Sequence, residues 1–179
     1  MEKVYLKIPT LNDVWFKKSI KEDPKTMDYN AGYNLSYEGY NYSDGTIKTD
    51  LEDLKINWYP RWINNFPTNY YAYIVESESD NFVGEIYAKL HSDKNAYEIG
   101  IVIKGEHRNK GFSIPAIKLL INELQKLGVK KLFHEVPSSR KSAIKADISN
   151  GFKIIKDDIK SDYTKFESVE YITYLEKEL

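Results

Sequence analysis

The chain has 179 residues, 41% of them hydrophobic and 30% charged, with a formal net charge of −1. That length suits one domain spanning residues 1–179 with a sizeable core, and a near-zero charge gives no general reason to expect nucleic-acid binding. The absence of cysteine excludes disulfides, thiolate metal sites and a cysteine nucleophile.

The opening MEKVYLKIPT has no apolar run followed by a cleavage site, and no stretch reaches transmembrane length. A soluble cytoplasmic protein without a membrane partner is therefore expected. Charge is uneven along the chain. Residues 1–100 hold 11 Lys and Arg against 16 Asp and Glu, whereas residues 101–179 hold 15 against 11. An acidic first half and a basic second half suit a cationic partner on one side and an anionic one on the other.

Val4–Ile8 alternates and predicts a short strand. Thr10 is placed to cap a helix carrying Val14, the Trp15-Phe16 pair and Ile20. Residues Met27–Thr46 contain five tyrosines without helical period and read as a long ordered loop. Asp50–Asn64 has Leu51, Leu54, Trp58 and Trp62 at helical spacing, with Pro60 set to interrupt or kink it.

Tyr70–Ser77, Phe82–His91 and Tyr97–Ile103 are β-branched and aromatic, joined by short polar turns, which predicts an antiparallel meander. From Ser113 a helix carries Ile117, Leu120, Ile121, Leu124 and Leu127 on one stripe and ends near Gly128. Pro115 fits there because it falls in the first turn. Lys130–Val136 is another strand, so Tyr97 to Val136 forms a strand–helix–strand unit, expected to be parallel and right-handed. Ser138 or Ser139 is placed to cap a helix ending at Ser149. Two strands, Phe152–Lys156 and Ser168–Lys177, close the chain.

The stretch EHRNKGFSIPAIKLL, Glu106 to Leu120, leads a glycine-bearing basic loop into a helix N-terminus, a place built to hold an anion. It is not a Walker loop, because Gly105 and Gly111 have five residues between them and Phe112-Ser113 follow. No G-x-G-x-x-G occurs anywhere. GFSIP misses a hydrolase nucleophile elbow, since Pro115 stands where the second glycine belongs. What remains is R-x-x-G-x-S, Arg108 to Ser113, between a strand and a helix.

This resembles the R/Q-x-x-G-x-G/A motif of the GNAT superfamily of N-acetyltransferases, with Ser113 a mild departure. YEIGIVI resembles that family's fourth strand, and KKLFHEVPSSRKSAIKADISNGF its fifth strand and fourth helix. The resemblance is specific over Tyr70–Phe152 and looser before it. It implies an α/β fold with a central mixed, mostly antiparallel sheet flanked by helices, and a parallel strand pair around an acetyl-CoA cleft. It also implies acetyl-CoA as co-substrate, no metal, and direct transfer to a primary amine, expected to belong to a small molecule. A homodimer is compatible with it. Two alternatives stay open: a protein N-terminal acetyltransferase, and an acyl-CoA-binding module without catalysis.

On that resemblance the pantetheine would meet the backbone of Ile101, Val102 and Ile103. The pyrophosphate would meet Arg108, Asn109, Lys110, Gly111, Phe112 and Ser113. Successive N–H groups grip it, Gly111 lets the backbone approach, and Arg140 is either a further CoA or substrate contact or a side chain that caps a carbonyl. A lysine-type amine, with a pKa of about 10.4, must lose a proton before it attacks. Glu98 is the candidate base or else a solvent-facing strand glutamate, and Glu85 is a second acid that could serve instead. The family's thiolate-protonating tyrosine is replaced by Asp147, which flanks the stripe of Ala143, Ile144 and Ile148 and reads as either a buried acid or a surface aspartate. His134, alternating with Leu132 and Val136, reads as a core histidine. The acceptor side is drawn from Met27–Tyr42 with neighbouring aromatics, chiefly Tyr29, Tyr33 and Trp58, and Glu85. With Asp28, Glu38 and Asp44 as acids these form either a cage for a cation or plain packing.

Overall fold

The β-branched and aromatic runs pair as the alternation predicts. The computed structural model describes residues 2–161 and 169–179, so Ser168, the expected start of the last strand, lies outside them. Among the described residues, β1 (Val4–Lys7), β2 (Asn69–Glu76), β3 (Phe82–His91), β4 (Ala96–Ile103), β5 (Lys131–Pro137), β6 (Lys153–Lys160) and β7 (Tyr171–Glu178) form one sheet. Its order is β1-β2-β3-β4-β5-β7-β6, with β4–β5 the parallel pair and every other neighbouring pair antiparallel. The meander β2–β3–β4 and the parallel unit across β4 and β5 match the sequence expectation. β6 is longer than Phe152–Lys156 and runs through two register shifts.

Both faces of the central strands are covered, so side chains of both parities are apolar or aromatic. On one face Ala72, Ile74, Ile86, Ala88, Ile99 and Leu132 join the stripe of helix α5 (Ser113–Lys126, numbered after the helices below), namely Ala116, Ile117, Leu120, Ile121 and Leu124. Leu127 does not join that stripe, since it caps α5 and stays exposed. On the other face Tyr71 and Tyr73 pack with Phe16, Ile20, Met27 and Ile63.

The N-terminal helices make that second layer. Thr10 precedes a 3-10 turn, Leu11–Asp13, where its N–H and hydroxyl both donate to the Asp13 carboxylate at 2.8 Å. Helix α1 (Val14–Lys21) follows, burying Val14, Phe16 and Ile20 while Trp15 stays exposed. A short helix α2 (Pro24–Met27), capped by Asp23 on the Lys25 N–H, enters the tyrosine loop. Residues 51–62 are helical in three pieces: α3 (Leu51–Asp53), a π turn (Leu54–Trp58) and α4 (Tyr59–Trp62). Pro60 offers no N–H and its ring crowds the carbonyl one turn back, and the widened turn accommodates both.

Helix α6 (Lys141–Ser149) corrects the expected serine cap. Arg140 occupies the cap position, and no side chain caps the helix. Ser138 is drawn instead to β7, where its N–H donates to the Tyr171 carbonyl at 2.8 Å and its hydroxyl meets that of Thr173 at 2.9 Å.

Candidate active site

Strands β4 and β5 are partners only at Tyr97↔Leu132 and Glu98↔Phe133, although β4 continues to Ile103 and β5 to Pro137. Beyond Glu98 the two strands part and leave a cleft of about 1020 Å³. Ile101, Val102 and Ile103 form part of its wall, on a stretch of β4 with no partner strand on the β5 side.

The loop from β4 into α5 closes one end. Asn109 (φ 63) and Gly111 (φ 77) both lie in the left-handed region. No side chain caps α5, and among the described residues the N–H groups of 109–114 meet no acceptor. Unsatisfied N–H groups in a turn running into a helix N-terminus favour an anion. Arg108, Asn109, Gly111, Phe112 and Ser113 line the cleft, and Phe112 also reaches into the core.

Two basic residues of the loop depart from the expected arrangement. Arg108 holds the Asp28 carboxylate at 2.9 and 3.0 Å and donates to the Thr26 carbonyl at 2.6 Å. It thereby ties the loop to α2, and neutralises an acid that the sequence assigned to the acceptor. Lys110 lies off the cleft wall, near the His107 ring. Its carbonyl accepts from the Lys3 ammonium, which sits 5.2 Å from the Phe112 ring centroid. Lys3 is a cation beside the loop that sequence spacing gave no way to find. Arg140 also lines the cleft, with its guanidinium 4.8 Å from the Tyr29 ring centroid and donating to the Tyr29 carbonyl at 3.2 Å.

Glu98 stands at the point of parting. Its carboxylate meets His91 Nε2 at 2.7 Å, and both side chains are partly exposed. The register explains the contact. Glu98 faces Lys89 across β3–β4, so His91, two residues on, is its diagonal neighbour on the same face. Tyr87 shares that face and lies over Gly100, where a Cβ would come within 2.3 Å of the ring. Burial, then the nearby Glu98 and Glu85 carboxylates, pushes the Tyr87 phenol up and keeps it a neutral donor. Burial likewise pushes the Tyr29 phenol up to about 12, with Glu85 adding to it and Arg140 and Arg108 opposing.

Glu85, Trp58, Tyr33 and Glu38 are not on the cleft wall. Glu85 is buried and held by Lys17 at 2.7 and 2.9 Å, with the Tyr71 hydroxyl as a further donor. Trp58 packs edge-on to Tyr71 and borders the same lysine. Tyr33 donates to Glu170 of the region before β7. Of the expected acceptor residues, Tyr29 and Asp28 line the cleft, Asp28 already paired with Arg108; Tyr87 lines it too and was missed by sequence reasoning.

Asp147 does line the cleft and is fully buried, which settles the alternative of a surface aspartate against it. Its Oδ2 meets His134 Nδ1 at 2.9 Å, while Oδ1 has no partner among the described residues. His134 is on the cleft wall as well, more than a plain core histidine. No group of three or more His, Cys, Asp or Glu among the described residues is arranged to hold a metal ion. No helix among them is long and apolar enough to cross a membrane.

A parallel strand pair that parts over a glycine turn and an uncapped helix is the arrangement of an acyltransferase of the GNAT type. The sequence model of the acetyltransferase (GNAT) domain matches residues 4–153, and the chain belongs to that family of acetyltransferases. Among curated proteins no relative matches. The fold is similar to that of the Vibrio cholerae spermidine N-acetyltransferase solved with CoA and spermine, at TM-score 0.76 and 14% identity, covering 99% of this chain and 96% of that one. It is similar also to an acetyltransferase of the GNAT family from Bacillus anthracis, at TM-score 0.72 and 15% identity, covering 99% and 95%.

Proposed function

We propose that this acetyltransferase takes acetyl-CoA and moves the acetyl group to a primary amine of a small molecule, by direct attack in a ternary complex. The observation that carries the proposal is the parting of β4 and β5 after Glu98↔Phe133, with the N–H groups of 109–114 at the end of the same cleft. The free β4 edge suits the amide groups of a pantetheine arm, and the open N–H turn suits a pyrophosphate. That the similar Vibrio cholerae enzyme was solved with CoA and spermine supports both a CoA co-substrate and a small amine acceptor.

In this scheme a neutral amine attacks the thioester carbonyl, and Glu98 takes the proton it sheds, directly or through one water. Glu98 serves better than Glu85, because it lines the cleft whereas Glu85 is engaged by Lys17 and Tyr71. His91, bonded to Glu98 and partly exposed, orients the carboxylate and gives the proton a way to water. Tyr87 and Tyr29, kept neutral, offer hydroxyl donors and aromatic surface to the amine.

The test is thiol release from acetyl-CoA across a panel of diamines, polyamines, aminoglycosides and peptides with free N-termini. Release with a small amine is the expected result. Release with peptides alone redirects the acceptor to protein N-termini, and tight CoA binding without release makes the protein a binding module.

A further inference from the structure

His134 is the first residue of β5 past the last β4–β5 pair, as Ile99 is on β4. Glu98 and Phe133 are register partners and so share a face of the sheet, which puts His134, the next residue, on the opposite face. Two proton-handling side chains therefore flank the point of parting from opposite sides. His134 Nδ1 is 2.9 Å from Asp147 Oδ2, and Asp147 is fully buried on the cleft wall. A carboxylate only accepts, so Nδ1 carries the hydrogen and proton exchange is left to Nε2, which meets no partner among the described residues.

The geometry points to His134 as the catalytic acid of this enzyme, with Asp147 as its positioning residue. The assignment rests on the acetyl-transfer proposal and moves the acid from Asp147, the residue at the family's tyrosine position, to the histidine that Asp147 holds. The acid form is the imidazolium, with a hydrogen on both ring nitrogens. As the carbonyl carbon–sulfur bond breaks, the electron pair goes to the CoA sulfur, and His134 Nε2–H gives that sulfur a proton, leaving the neutral Nδ1–H ring. The amine loses one proton to Glu98, which releases it to solvent, and solvent returns one to His134. Thiol and amide are both neutral at the end, and no other reactant is needed. A buried carboxylate fixing one tautomer of an imidazole is the same device that orients the histidine of hydrolytic triads.

The experiment compares His134→Gln and Asp147→Asn with wild type, measuring kcat with an accepted amine, KM for acetyl-CoA and calorimetric Kd for CoA. A fall of about 10²-fold in kcat for His134→Gln, the lower end for general acid–base catalysis, with Kd for CoA unchanged, is expected. Asp147→Asn should lower kcat less and, in ¹⁵N NMR of the ring, lose the fixed Nδ1–H tautomer. Wild-type kcat in His134→Gln overturns the acid and leaves acetyl transfer standing, and so does a fall in kcat matched by lost CoA affinity. Absence of thiol release by the wild type with every amine overturns acetyl transfer and the acid together. If neither variant folds, the wild-type His134 Nε2 resonance decides: a shift on adding CoA supports the assignment, and a signal that CoA leaves unmoved overturns it.

Discussion

Along the β4–α5 side of the cleft the groups offered to a ligand are backbone N–H donors, held open by Asn109 and Gly111 at positive φ. Across from them, around Tyr29 and Tyr87, the polar groups are already engaged with one another: Glu85 with Lys17 and Tyr71, Asp28 with Arg108, Tyr33 with Glu170. The first side is prepared for one charged group whatever carries it. The second has most of its charge engaged in its own structure, which leaves hydroxyls, aromatic surface and a few carboxylates on the cleft wall. The acidic excess of the first hundred residues therefore overstates the negative charge an amine would meet.

The largest effect that separates the two sides is on stability. Lys17→Met leaves the buried Glu85 carboxylate without its cation, and breaking a buried pair in this way costs about 3–5 kcal/mol. Denaturant unfolding should register that loss, while the CoA dissociation constant of the folded variant stays unchanged because the pair lies off the cleft wall. Wild-type stability would show that the pair contributes little and that the acceptor layer is held by its aromatics.

Glu98→Gln comes next. Turnover should fall by about 10²-fold, within the range for a lost general base, with CoA affinity preserved. Wild-type rates at every pH would transfer the proton to water.

Gly111→Val should act on the CoA side. A residue other than glycine at φ 77 pays about 1–2 kcal/mol for the left-handed backbone, and relief of that strain turns the loop N–H groups away. Calorimetry should show CoA binding weakened by about tenfold or more, the equivalent of at least 1.4 kcal/mol. Unchanged affinity in a folded variant would remove the loop as the phosphate site.

How much of this was legible follows the same division. Backbone recognition needs a left-handed glycine at a fixed distance from a helix start, and R-x-x-G-x-S between a strand and a helix declares that. Tyrosine packs equally well inside and at a ligand, so five tyrosines between Met27 and Thr46 could not say which would reach the cleft. Tyr29 does, whereas Tyr33 is taken by a residue 137 positions away. The His91–Glu98 contact depended on the β3–β4 register, and that of His134 with Asp147 on how α6 lies against β5. Wheel geometry placed Asp147 beside Ile148, yet the aspartate is buried with Ile144 and Ala146 and bonded to His134, while the isoleucine is about half exposed.

The mildest prediction concerns alkali. Burial holds the phenols of Tyr29, Tyr71, Tyr73 and Tyr87 above their ordinary value near 10, and Tyr29 reaches about 12. The unfolded chain releases these protons from pH 10 upward while the folded chain keeps them, so folding loses stability as pH rises through that window. Denaturant midpoints between pH 9 and 12 should fall accordingly. A Tyr29→Phe variant should show a shallower decline, and an identical one would place the titration elsewhere.

Two residue pairs join β1–β4 to β5, β7 and β6 across the middle of the sheet, with α5 and α6 bridging the remainder. Among the strand pairs of the described residues the seam has the fewest register partners, and amide hydrogens of β4 past Glu98 have no neighbouring strand on the β5 side to protect them. A pantetheine arm lying in the gap would take the place of the absent ladder and become part of the sheet while bound. Co-substrate present at a hundred times its dissociation constant adds about 2.7 kcal/mol to the folded state. Much of that gain would appear as slowed amide exchange along this seam, so the enzyme's rigidity would rise and fall with each turnover.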